Sequence, residues 1–93
     1  MSHYRDVIIE TYWGLTTHAS NGLRARPLPG QGLDVTMNVE CSTKMRNSYP
    51  VGTKFKVAAR LKDKEGGSKF LYVHYNHTYE VVSEQATLAF IKT

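Results

Sequence analysis

The chain of 93 residues contains a single cysteine, Cys41. It cannot form an internal disulfide, so nothing in the sequence calls for an oxidising compartment. No stretch approaches the roughly twenty apolar residues a membrane helix needs. The segment MSHYRDVIIE carries Arg5, Asp6 and Glu10 around only Val7-Ile8-Ile9, which does not read as a signal peptide. The expectation from these absences is a cytoplasmic protein. Internal repeats and low-complexity runs are also lacking.

Catalytic and metal-binding patterns are equally sparse. There is no Gly-x-Ser-x-Gly element, and the glycines do not sit between a strand and a helix as a phosphate cradle does. His74 and His77 have H-x-x-H spacing, but residues three apart on a strand face opposite sides. No cysteine or carboxylate cluster joins them, whereas zinc requires four convergent ligands, or three and a water. Nothing near Cys41 lowers a thiol pKa, so pairing with His18 or His74 is not suggested. Asp34 and Glu40 share a strand face about 20 Å apart, too far for joint acid–base chemistry. The sequence therefore predicts no catalytic residue, no metal and no cofactor, and a protein that is not an enzyme.

What is present is β-forming. The segment Thr53 to Tyr75 reads as a hairpin turning at Gly66-Gly67. On its first arm Phe55, Val57, Ala59 and Leu61 face one way, and Lys54, Lys56, Ala58, Arg60 and Lys62 the other. The register that keeps the apolar set together pairs Leu61 with Leu71, Ala59 with Val73 and Val57 with Tyr75. On the opposite face it sets Lys62 by Phe70, Arg60 by Tyr72 and Ala58 by His74. A one-residue slip would send the two apolar sets to opposite sides.

Other segments follow the same logic. Residues 4–13 predict a strand with Val7, Ile9, Thr11 and Trp13 on the core side. Residues 33–41 alternate as Leu33, Val35, Met37, Val39 and Cys41, which predicts a half-buried strand. Between them, residues 14–32 hold two of the three prolines and the turn dipeptides Asn21-Gly22 and Pro29-Gly30. That stretch predicts one long irregular loop, pinned by Leu15, Leu23 and Leu28. Residues 42–52 predict a polar connection. After a kink at Asn76-His77 comes a strand from Tyr79 to Ser83, then a closing strand over 86–91. A helix starting from Ser83 is the alternative for that last stretch.

The sum is an all-β fold: one domain over 1–93, a small barrel or roll, SH3-like or OB-like, of about six short strands. Twelve Lys and Arg against eight Asp and Glu give a net charge of +4. This permits an acidic partner. The outward hairpin face combines Lys54, Lys56, Arg60 and Lys62 with Tyr72 and His74, and Arg24 and Arg26 lie on the long loop. Cations follow phosphates and flat side chains stack on bases, so this face predicts nucleic-acid binding with single strands preferred. The alternative is a self-associating protein-interaction or small-ligand-binding barrel, a homodimer with Phe70 and Tyr72 at its interface. An oligomeric enzyme with a shared site is the third reading.

Overall fold

A computed structural model describes residues 4–13, 23–63, 67, 69–74 and 78–92. Its elements in chain order are β1 (Arg5–Trp13), β2 (Leu23–Pro27), β3 (Asn38–Glu40), α1 (Thr43–Asn47), β4 (Lys54–Asp63), β5 (Lys69–Val73), β6 (Glu80–Val82) and α2 (Glu84–Lys92). The strands form one sheet in the order β2-β1-β4-β5-β3, with β6 added on β4. Strands β2 and β3, at the two ends of that order, come back into contact, so the sheet nearly closes into a barrel. The predicted all-β barrel class is the one observed.

Strand β4 is the axis of the arrangement. One edge pairs antiparallel with β1, from Arg5↔Ala59 to Glu10↔Lys54. Its other edge is shared: β5 takes Ala59 to Asp63, and β6 takes Lys54 to Lys56. The hairpin register matches the expectation at Leu61↔Leu71, Ala59↔Val73, Arg60↔Tyr72 and Lys62↔Phe70. The expected pairing at Tyr75 and the kink at Asn76-His77 lie outside the described residues. The interior holds Val7, Ile9, Ala25, Val39, Phe55, Val57, Ala59, Leu71 and Val73, and Met45 of α1 joins them.

Several expectations are corrected. Part of the stretch expected as loop, residues 23–27, is a strand paired with β1 from Ile9↔Pro27 to Trp13↔Leu23. Its inward residues are Leu23, Ala25 and Pro27, and only the first looks like a strand residue. Pro27 is tolerated because β2 lies at the end of the strand order, where a ladder donor is least needed. Residues 14–22 of that expected loop lie outside the described residues.

The strand expected over 33–41 is regular only at Asn38–Glu40, where it pairs parallel with β5. Asp34 breaks the rest. Its carboxylate accepts from the Thr36 backbone N–H at 2.8 Å and from the Thr36 hydroxyl at 2.6 Å. Its carbonyl accepts from the Met37 N–H at 3.0 Å. This side-chain-built turn replaces a strand and leaves Val35 exposed, while Leu33, Met37 and Cys41 still pack at the core's edge. The two Thr36 bonds also hold the Asp34 carboxyl below its ordinary pKa.

The closing strand over 86–91 is instead the helix α2. The Ser83 hydroxyl accepts from the Ala86 N–H at 3.1 Å, and the Ser83 carbonyl accepts from the Thr87 N–H at 2.9 Å. This is N-capping, reinforced by Glu84 in the first turn and Lys92 in the last. The connection over 42–52 likewise contains α1, capped by Ser42, whose hydroxyl accepts from the Met45 N–H at 3.2 Å. Helix α2 lies over the outward side of the Ile8–Lys56 pair. Phe90 sits beneath the Lys56 ammonium, and Ile91 presses on Gly30 so closely that a Cβ there would stand 2.6 Å from its Cγ2.

Ile8, on the outward side of β1 opposite Lys56 and away from the expected core set, is nonetheless fully buried. Trp13 departs in the other direction: it ends β1 at the rim and is 60% exposed. Burial of Ile8 raises a problem, since β2 has ended: the Leu28 N–H still donates to the Ile8 carbonyl at 3.1 Å, but the Ile8 N–H needs an acceptor. Gln31 supplies that acceptor and a second donor to the carbonyl. Its Oε1 accepts from the Ile8 N–H at 2.8 Å, and its Nε2 donates to the Ile8 carbonyl at 2.9 Å and the Leu28 carbonyl at 3.0 Å. Gln31→Ala should therefore destabilise the fold by about 1–3 kcal/mol, the cost of a buried backbone group left unpaired. Urea denaturation followed by circular dichroism measures it; an unchanged midpoint would show that water replaces the amide.

Candidate functional site

The outward face is built from alternate residues of four strands. Arg24 and Arg26 come from β2, Glu10 and Tyr12 from β1, Lys54, Lys56, Arg60 and Lys62 from β4, and Tyr72 from β5. Tyr4 and His74 flank β1 and β5 at one end. Strand pairing divides the predicted basic strip into parts with different surroundings.

The half at the start of β4 is engaged by other parts of the chain. Glu10 lies between Arg26 and Lys54, 3.3 Å from each. Lys56 is 5.3 Å from the centre of the Phe90 ring. These cations have counter-charges or ring faces supplied by β1 and α2, which the hairpin sequence alone does not reveal.

The half at the end of β4 forms a continuous cluster of rings and cations. The Lys62 ammonium stands 4.0 Å from the centre of the Tyr72 ring, and the Arg60 guanidinium 5.2 Å from that of Tyr4. His74 meets both tyrosines edge-on, with centroids 6.1 Å from Tyr4 and 6.2 Å from Tyr72. All five side chains are partly buried. Among the described residues Arg60 Nε, like Arg46 Nε, is shielded from solvent without a hydrogen-bond partner, an uncommon state for a charged donor. The acidic neighbours include Glu40, opposite Tyr72 on β3, and Asp6, two residues from Tyr4 on the same side of β1.

Four of the eight residues predicted for nucleic-acid contact are thus brought together: Arg60, Lys62, Tyr72 and His74. Lys54 and Lys56 lie further along the same strand. Arg24 and Arg26 stand at the far end of the face, around Tyr12, whose ring centre is 4.6 Å from the Arg26 guanidinium. Tyr4 was not legible as a member, because only the pairing of β1 with β4 carries it to Arg60. Phe70, expected at an interface with Tyr72, is 8% exposed and packs within the chain, so little of it is left for a partner.

An apolar surface occurs elsewhere. Tyr49, Phe55 and Tyr79 meet edge-on with centroids 5.4 to 6.3 Å apart, and Tyr49, Val51, Tyr79 and Val81 are exposed around them. A hydrogen bond with Tyr49 pushes the Tyr79 phenol above its ordinary pKa.

Among the described residues no three His, Cys, Asp or Glu side chains converge as metal ligands, and no helix is long and apolar enough to cross a membrane. His18 and His77 lie outside the described residues. The chain has no significant match to any protein-family model, curated protein or solved structure.

Cys41 is partly buried beside the core. Desolvation pushes its thiol up from 9.0 to about 11, against a smaller opposing pull from the Arg46 charge. The thiol is therefore protonated and weakly nucleophilic at neutral pH. Folding disfavours the thiolate, so this contribution to stability is complete below pH 9 and disappears as pH rises through 11. Cys41→Ala should flatten the fall in stability across that window, as read by urea midpoints at several pH values. An identical alkaline fall in the variant would assign it to other groups.

Proposed function

We propose that this protein is a small nucleic-acid-binding module that prefers single strands and uses Tyr4, Arg60, Lys62, Tyr72 and His74. The observation that carries the reading is the continuity of that cluster: two tyrosine rings, an imidazole between them, and a cation against each tyrosine. A partly buried cation–π contact contributes about 0.5–2 kcal/mol. A base stacked on an aromatic side chain contributes about 1–3 kcal/mol. Exchanging the first for the second is favourable, and it releases Lys62 and Arg60 to pair with phosphates. An incoming phosphate also gives the covered Arg60 guanidinium an acceptor. Duplex bases are already stacked on one another, so this exchange favours single strands.

The reading is tested by fluorescence anisotropy with labelled single- and double-stranded oligonucleotides at low and moderate salt. The expected result is single-strand preference, with affinity falling steeply as salt rises. Replacing Arg60 and Lys62 together by Glu should abolish binding while the circular dichroism spectrum stays that of the wild type. Unchanged affinity in that folded variant would overturn the proposal.

One observation favours a second reading, a self-associating barrel. The exposed group Tyr49, Val51, Tyr79 and Val81 is an apolar surface of the kind found at the centre of protein interfaces. On this reading the wild type sediments as a dimer and Val81→Lys as a monomer. A wild type that remains monomeric at the highest attainable concentration removes it.

A further inference from the structure

The same sheet face carries a second grouping of rings and cations, far from the first. Tyr12 lies on β1 with Arg24 directly opposite it on β2 and the Arg26 guanidinium 4.6 Å from its ring centre. Among the described residues Arg24 makes no ion pair, whereas Arg26 is shared with Glu10. Tyr4 and Tyr12 are eight positions apart on the same side of one extended segment. At ~3.3 Å per residue that places the two groupings about 26 Å apart.

The ground between them differs in character. Glu10 holds Arg26 and Lys54, and Phe90 of α2 lies against Lys56. The middle of the face therefore offers a carboxylate and a helix in place of available cations and open rings. A ligand that used both ends would touch down twice and span the centre.

We infer that Tyr12 and Arg24 form a second foothold for the same single strand, so that full affinity requires an oligonucleotide long enough to reach both. This rests on the nucleic-acid reading proposed above. A stacked strand advances ~3.4 Å per nucleotide, and an unstacked one roughly twice that. Crossing 26 Å then takes about four to eight nucleotides, which lies within the site sizes known for small β-barrels that bind single strands. Tyr12 supplies the stacking ring and Arg24 the phosphate contact. Trp13, the only tryptophan and 60% exposed, follows Tyr12 in the chain on the opposite side of β1 and serves as a fluorophore beside this end.

The test titrates the full chain with labelled oligothymidylates of three, six, nine and twelve nucleotides, recording anisotropy and Trp13 fluorescence together. Affinity should rise by about tenfold between the shortest and the longest, the effect of one added stacked base and its phosphate. Trp13 fluorescence should change with the longer strands and not with the trinucleotide. Arg24→Glu should bring the dodecamer close to trinucleotide affinity and leave the trinucleotide unaffected. Tyr12→Ala should act in the same way and Tyr12→Phe should restore binding. Equal loss at every length in Arg24→Glu, or a length-independent wild type, would overturn the second foothold while leaving the first intact. Absence of binding at all lengths would overturn both.

Discussion

Two-sided pairing of β4 is the constraint on which this structure depends. A strand used on one edge only could shift or end early with local consequences. Here Phe55, Val57 and Ala59 are committed to β1 on one side while β5 and β6 divide the other. The side-chain alternation of β4 thus sets which residues of three neighbours face inward. The same alternation sets the outward row, so the position of Arg60 and Lys62 among tyrosines follows from the packing of the core. Fold and candidate site are two faces of one register.

The division of the outward row into cations held by a carboxylate or by α2 and cations set against the tyrosines of the sheet arises from partners distant in sequence. Glu10 comes from β1 and Phe90 from α2. Neither belongs to the hairpin, yet together they determine that Lys54 and Lys56 differ from Arg60 and Lys62. The positive charge of the chain is in this sense less evenly spread than a count of lysines and arginines suggests. Its distribution concentrates the cation-and-ring surface at the two ends of the sheet.

How much could be read beforehand follows the same distinction between local and distant. The hairpin register was legible because both arms alternate and only one pairing keeps Leu61, Ala59, Leu71 and Val73 together. Strand β2 was not, because Ala25 and Pro27 fill inward positions with residues that carry little strand signal. The Asp34 turn was hidden beneath an alternation that continues through Val35, a residue the turn turns out to solvent. For α2, Ala86, Leu88 and Phe90 fit a strand by parity, and the cap at Ser83 decided the outcome. At the site, Arg60, Lys62, Tyr72 and His74 were visible within one hairpin. Tyr4 required knowledge of which strand lies beside β4.

Gln31 carries a chemical vulnerability of its own. Its amide works because one end donates and the other accepts, facing the Ile8 N–H on one side and the Ile8 and Leu28 carbonyls on the other. Hydrolysis of that amide to glutamate would leave shape and length nearly unchanged. It would nevertheless turn the donating end into an oxygen directed at two carbonyl oxygens, and place a negative charge beside the fully buried Ile8. Slow deamidation during storage would thus strike a side chain that completes the sheet edge, and the age of a preparation would register as a loss of stability without any change in sequence length or cleavage of the chain.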